Sequence, residues 1–237
     1  MQSALDQTWS NKEVIVIDDG STDGSLEVIK SFGNKIHWET GPNRGGNHAR
    51  NRGFALSKGE CIQFLDADDY LLPPKIERQV KAFKETNADV VYEDWQRLAY
   101  DRDGSSKLLP VEISGRHEDI LEALLAGWAP PPCAFLFNRK VIEGVSGWNE
   151  ELTSAQDWEL HIRIAIAGLD YRYVPGCHSV YRRPPMPTVS IRDARWSSEK
   201  VLSKYHENVY CKKIQVQILG KKIGKKCPFL DTLNQRQ

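Results

Sequence analysis

Short apolar runs that end in acids alternate with amphipathic stretches along the first two-thirds of the chain. Val14-Ile15-Val16-Ile17 is a β-branched run closed by Asp18-Asp19-Gly20-Ser21, the pattern of a buried parallel strand meeting a turn. Cys61-Ile62-Gln63-Phe64-Leu65 repeats it and runs into Asp66-Ala67-Asp68-Asp69. Between the two, residues 25–32 read as a short helix stopped by Gly33, and residues 47–57 as another closed by Gly59. Pro73-Pro74 opens a third helix, in which Ile76, Val80 and Phe83 recur at i, i+4 and i+7. Val90-Val91-Tyr92 is the next strand. The spacing further predicts a helix from Ile120 to near Gly127, a strand over 134–137, a helix over 154–167 and a late strand over 171–174. This βαβα rhythm predicts an α/β fold with a mainly parallel sheet flanked by helices.

Composition narrows the class. For 237 residues, surface scaling leaves roughly 70% of the unfolded area buried, enough for one real core. With 32 Lys+Arg against 32 Asp+Glu the net charge is zero, which argues against a nucleic-acid binder. No apolar run approaches a membrane span, and residues 1–7 lack the basic-then-apolar pattern of a secretory signal. Cys61, Cys133, Cys177, Cys211 and Cys227 form no CxxC pair, so neither a zinc site nor a disulfide framework is expected. A reducing, cytoplasmic setting follows as an expectation. After Arg195 the chain turns basic, through Lys212, Lys213, Lys221, Lys222, Lys225 and Lys226. One domain over 1–192 and a basic helical tail over 193–237 is the reading. That tail could rest on anionic lipid as a peripheral membrane contact, or be a solvated surface helix.

Ligands of open α/β sheets bind beyond the carboxyl ends of strands. Two acidic clusters fall at such ends, and carboxylates gathered there suit a hard divalent cation shared with substrate phosphates. A single cluster would read as turn and cap chemistry. Two, with a basic segment between them, point to a site.

The order of motifs then carries a resemblance. Residues 14–25, with Asp18-Asp19-Gly20-Ser21-Thr22-Asp23-Gly24-Ser25, resemble the VVDDGSTDGS segment of family 2 glycosyltransferases. Gly45-Gly46-Asn47-His48-Ala49-Arg50-Asn51-Arg52-Gly53 resembles that family's GG-x-x-ARN-x-G segment, and residues 59–69 its strand leading to a DXD motif. Ser146-Gly147-Trp148-Asn149-Glu150, followed by Gln156-Asp157-Trp158-Glu159-Leu160, resembles the G-[FW]-[DN]-E…ED-W-x-L region. The likeness covers residues 4–190 and implies the GT-A fold, a Rossmann-like architecture.

The resemblance also implies roles. Asp19 lies near the nucleotide base, with Asp18 as the alternative, and Arg50 lies near the nucleotide or its phosphates. Asp66 and Ala67 approach the ribose or sugar side of a nucleoside diphosphate sugar. Asp68 ligates Mg²⁺ or Mn²⁺ on the diphosphate. Asp157 is the general base for an acceptor hydroxyl, with inversion at the anomeric carbon. Structural readings compete: Ser154 and Asp157 have capping-box spacing, Arg50 could solvate a helix face, and Trp148 and Trp158 suit core anchors. Asp69 reads as a turn or cap residue.

Three departures from the family pattern stand out. An apolar first strand and most of the first helix have no counterpart before Ser3, which leaves the expectation of exposed strand edges and weakened activity. Pro184 stands where a metal-binding His is common, and Gln156 where an acid usually precedes the base. Against the enzyme stands a non-catalytic nucleotide-sugar-binding or scaffold protein. Donor sugar and acceptor class, whether saccharide, lipid-linked or protein, carry no motif.

Overall fold

The computed structural model describes residues 1–101 and 103–183. The elements run α1 (Gln2–Leu5), β1 (Ile15–Asp18), α2 (Ser25–Ser31), β2 (His37–Thr40) and α3 (Gly46–Leu56). There follow β3 (Cys61–Ile62), β4 (Tyr70–Leu71), α4 (Lys75–Thr86), β5 (Val90–Tyr100) and β6 (Ser106–Glu112). The order closes with α5 (Ile120–Leu125), β7 (Phe135–Asn138), α6 (Arg139–Gly144), α7 (Gln156–Ile166) and β8 (Tyr171–Arg183). The predicted basic tail lies outside the described residues, as does Pro184. No helix among the described residues is long and apolar enough to cross a membrane.

The α/β class expected from the sequence is the one found, but the large sheet is mixed rather than mainly parallel. Its order is β3-β7-β5-β8-β4, with β6 on the outer half of β5. β5 and β8 pair in parallel along most of their length. β7 lies antiparallel between β3 and β5, at Ile62↔Phe137 and Val90↔Phe137, so those two co-directional strands never pair. β6 is antiparallel because a tight hairpin joins it to β5, closed by the Asp101 N–H on the Ser105 carbonyl at 2.9 Å.

β1 and β2 form a separate parallel pair, Ile15↔His37 to Asp18↔Thr40. Among the described residues β1 pairs only with β2 and β3 only with β7, so each keeps one unladdered edge. Ile15, Val16 and Ile17 are half-buried instead of fully buried, and the strand expected over 61–65 shrinks to Cys61–Ile62.

Alternation along the central strands divides the core in two. Val90, Tyr92, Phe135 and Phe137 face α6 and α7, joining Ile142, Trp148, Leu160 and Ile164. Val91 and Leu136 face the other way, onto Val80 and Phe83 of α4. The same α4 face carries Lys75 and Gln79, both wholly buried. Lys75 Nζ donates to the Gln63 side chain and to the Phe135 carbonyl at 3.1 Å, while Gln79 Nε2 donates to the Ala134 carbonyl at 3.0 Å. Glu93, equally buried, accepts from Ser179 Oγ at 2.7 Å and the His178 N–H at 3.1 Å.

Burial pushes the Lys75 ammonium down to about 8, against the pull of Glu93. Below pH 8 it is charged in both states and its burial weakens the fold. Between pH 8 and the ordinary lysine value of about 10.4, the unfolded chain binds a proton that the native chain does not. Stability from this group therefore rises with pH across that window. Denaturant unfolding of Lys75→Met should lack the rise seen in the native sequence; equal pH dependence in the two proteins would contradict a desolvated Lys75.

Candidate active site

The two acids at the end of β1 are fasteners for the loops around them. Asp18, 5% exposed, accepts from the Ser21 N–H at 3.2 Å and the Thr40 hydroxyl at 2.5 Å. The Ser21 and Thr40 hydroxyls, Ser21 first, hold its carboxyl below the usual range against desolvation, and the Ser21 N–H adds least. Asp19 accepts from the Arg44 N–H at 2.8 Å and the Gly45 N–H at 2.7 Å, which fixes the approach to α3. Gly20 makes this tight turn possible. Its φ is +76°, and a Cβ there would stand 2.7 Å from the Asn43 nitrogen.

α3 carries the middle of the site. Asn47, Arg50 and Asn51 stand at i, i+3 and i+4, so one helix face presents all three. Asn47 Nδ2 donates to the Asn149 carbonyl at 2.6 Å. Asn51 takes the Trp148 N–H at 2.8 Å and gives Nδ2 to the Trp148 carbonyl at 2.9 Å. These bonds bring the 146–150 loop onto α3 and seat the Trp148 ring 4.6 Å beneath the Arg50 guanidinium. Arg50 is then spent on three partners: Asp66 Oδ1 at 2.7 Å, Gln156 Oε1 at 3.1 Å and Asn47 Oδ1 at 3.1 Å.

Through Arg50 the structure brings together Asp66 and the start of α7, where Asp157 sits in the first turn. Ala155 occupies the N-cap position in a left-handed conformation, φ +52°, one residue out of register with the capping box read from the Ser154–Asp157 spacing. A left-handed non-glycine beside a candidate base is strain held by its surroundings. Burial raises the Asp157 pKa, and the charge of Asp66 adds to that; the Trp158 N–H and Arg50 oppose. Trp148 and Trp158 are anchors, as read from sequence: Trp148 is 3% exposed, and Trp158 Nε1 bonds the Leu124 carbonyl at 3.0 Å.

The acidic loop divides its residues. Ala67 and Asp68 face solvent, whereas Asp69 is 4% exposed. Asp69 is a turn residue, as expected: its N–H closes on the Asp66 carbonyl at 3.0 Å. Its Oδ1 accepts the Arg182 N–H at 2.9 Å, which ties the end of β8 to the loop. Partial desolvation raises the Asp68 pKa, and Asp66 adds to it while Arg182 opposes. Tyr181 lies within reach of Asp69, Asp68 and Asp157 together, and all three raise its pKa after burial does. Among the described residues no group of three His, Cys, Asp or Glu side chains could hold a metal ion alone. One exposed carboxylate fits a Mg²⁺ or Mn²⁺ that takes its other oxygens from water and a bound diphosphate.

Of the site residues expected from the sequence, Arg50, Asp66, Asp68 and Asp157 lie around one loop and two helix faces. Sequence reading missed Asn47 and Asn51, although their i, i+4 spacing around Arg50 was a usable signal. It also missed Tyr181 and Arg182, for which no local signal existed.

Fold and site together define an α/β protein whose mixed sheet gathers acidic loops and an arginine-bearing helix at one end. The model for Glycosyl transferase family 2 matches residues 1–145, and the chain belongs to that family. An uncharacterized glycosyltransferase of Rickettsia felis is 34% identical over 69% of this chain and 28% of its own length. One from Nostoc is 33% identical over 61% of this chain and 47% of its own. The chain thus spans less than half the length of either relative. S. aureus TarS 1–349 in complex with UDP-GlcNAc superimposes with a TM-score of 0.60 at 18% identity, over 80% of this chain and 55% of that one. At that identity the likeness shows the fold.

Gly147 has φ +72°, and a Cβ there would meet Asn51 Oδ1 at 2.6 Å, the atom that holds the Trp148 N–H. Left-handed strain plus a displaced hydrogen bond should cost Gly147→Ala about 2 kcal/mol or more. A fall of about 4 °C or more in Tm is the expected readout. An unchanged Tm would show that the loop does not depend on this contact.

Proposed function

We propose that the chain transfers a sugar from a nucleoside diphosphate sugar, UDP-linked, to an acceptor hydroxyl with inversion at the anomeric carbon. The observation that carries this reading is the Arg50 bridge. One guanidinium holds the Asp66 carboxylate of the strand-end loop against Gln156 of α7, and sets Asp157 beside them. Family membership supports transfer chemistry, and the solved TarS complexes carry UDP-GlcNAc and UDP.

Asp157 removes the proton from the acceptor hydroxyl as that oxygen attacks the anomeric carbon. The bond from that carbon to the diphosphate breaks, and the nucleoside diphosphate leaves with the electron pair. A carboxylate whose pKa is raised by burial is a stronger base than a free one, which suits this task. Asp66 faces the ribose or sugar side, and Asp18 and Asp19 shape the base end by holding its loops. Mg²⁺ or Mn²⁺ at Asp68, when bound, offsets charge on the departing diphosphate.

The non-catalytic reading has one observation in its favour. Asp18 and Asp19 both spend their oxygens on their own loops, which leaves fewer groups for a nucleotide base. Turnover separates the two. Release of nucleoside diphosphate from a donor panel with Mn²⁺ should fall about 10²–10⁴-fold in Asp157→Asn, with UDP binding retained. Full activity in that variant would remove Asp157 as the base, and UDP binding without turnover in the native sequence would favour the sensor or scaffold.

A further inference from the structure

We propose that the outer half of the sheet formed by β6, β5 and β8 is an anion-binding face, built by Arg97, Lys107 and Arg183, that receives a phosphate group carried by the acceptor. As a statement about the acceptor this rests on the transfer reading above; the face itself does not.

Strand register puts the three cations on one side of the sheet. Trp95 is paired with Glu112 on β6 and Ser179 on β8, Arg97 with Tyr181, and Ala99 with Lys107 on one side and Arg183 on the other. Directly opposed residues share a face, and so do residues two apart on one strand. The rings agree: Tyr181 meets Trp95 edge-on at 6.0 Å, and the Arg97 guanidinium lies 5.0 Å over the Trp95 ring. Ala99 is thus a small floor, with Lys107 and Arg183 each roughly 5 Å away across the sheet. Both of those cations are exposed.

The cations on this face outnumber their partners. Arg97 has one ion pair among the described residues, with Glu112 at 3.8 Å, which is beyond hydrogen-bond reach. Its Nε is buried without a partner, yet the side chain as a whole is 32% exposed, so an incoming anion can reach the group. Other arginines of this chain hold their carboxylates closely even when half exposed, Arg52 on Glu39 at 2.7 Å and Arg172 on Asp170 at 2.8 Å. Glu112 is the one carboxylate in the three rows that carry Arg97, Lys107 and Arg183.

The same rows lead to the candidate base. Burial raises the Tyr181 pKa, Asp69, Asp68 and Asp157 add to it, and Arg183 opposes, so this ring stands within reach of both the acids and the cationic face. An acceptor that brings a hydroxyl to Asp157 enters a field of several carboxylates. A neutral saccharide crosses it without cost, whereas an anionic one is repelled unless cations lie beside it. Arg97 supplies the matching shape as well as the charge: its fork suits paired phosphate oxygens, and the stack on Trp95 holds it in one pose. A bilayer of anionic lipid fits less well, because exposed Asp101 and Asp103 stand at the tip of the β5–β6 hairpin, the first part to meet it.

Calorimetric titrations of the full chain with a phosphodiester-linked glycerol oligomer, neutral maltopentaose and phosphatidylglycerol vesicles test the face. The oligomer should bind, less tightly as salt rises, and maltopentaose should show no such salt dependence. Arg97→Gln should weaken the oligomer about tenfold and Arg97→Lys less, while exposed Lys107→Ala should cost about threefold. UDP affinity in the presence of Mn²⁺ and Tm should stay as in the native chain. Native-like oligomer affinity in Arg97→Gln would overturn the proposal. So would a loss there that comes with a lowered Tm and has no counterpart in Lys107→Ala, the mark of a structural arginine. Binding to vesicles but not to the soluble oligomer would overturn it in favour of a lipid surface. Oligomer binding through Arg97 without turnover of any donor would leave the anionic face standing and remove the transfer reading. Transfer to maltopentaose by a chain that ignores the oligomer would do the reverse.

Discussion

The site depends on one guanidinium. Arg50 reaches Asp66 on the loop after β3, Gln156 at the start of α7 and Asn47 on its own helix, and lies over the Trp148 ring. Those contacts are the points where three separate parts of the chain meet: α3, the acidic loop and the 146–157 segment. An arginine suits this junction because its planar fork fixes several acceptors at once and stacks on an aromatic face. A lysine would supply the charge without the geometry. The pair with Asp66 is partly desolvated, at 19% and 32% side-chain exposure, so removal of one partner leaves the other a poorly solvated charge.

That junction also sets the electrostatics. Asp66, Asp68, Asp69 and Asp157 crowd one end of the sheet, where burial first, and neighbouring carboxylates after it, raise the pKa of Asp68, Asp69 and Asp157. Asp69 is pushed up to about 7, burial being the main cause. Arg50 and Arg182 are the cations set among these acids. The neutral whole-chain charge conceals this local arrangement, which is why composition excluded a generic polyanion binder yet said nothing of the site.

Much of the architecture was legible because apolar runs ending in acids mark strands that reach a ligand-binding edge. Helix positions matched within a few residues, since Gly and Pro punctuate this chain clearly. The long strands were not legible. β5 looked like three residues because Glu93 and Asp94 follow Tyr92, but both acids are buried and satisfied. Glu93 holds Ser179 and His178; Asp94 accepts from the Ser114 N–H and the Tyr173 hydroxyl. β8 seemed to stop before Pro175-Gly176, yet the pairing passes from Tyr92↔Tyr173 to Asp94↔Cys177 and absorbs both residues in an irregularity, with Gly176 at φ +128°. Partners far away in sequence decide such cases. The same holds in the site: motif order singled out Arg50, Asp66, Asp68 and Asp157 as candidates, but not that Asp18 and Asp19 fasten their own loops, nor that Arg182 comes to the acidic loop.

A double-mutant cycle on Arg50→Ala and Asp66→Asn, read by denaturant unfolding, tests the junction most directly. A real bridge predicts a coupling of about 1–3 kcal/mol between the two substitutions. Additive effects, within about 0.5 kcal/mol, would contradict it and leave the acidic loop and α7 without the link on which this account of the site stands.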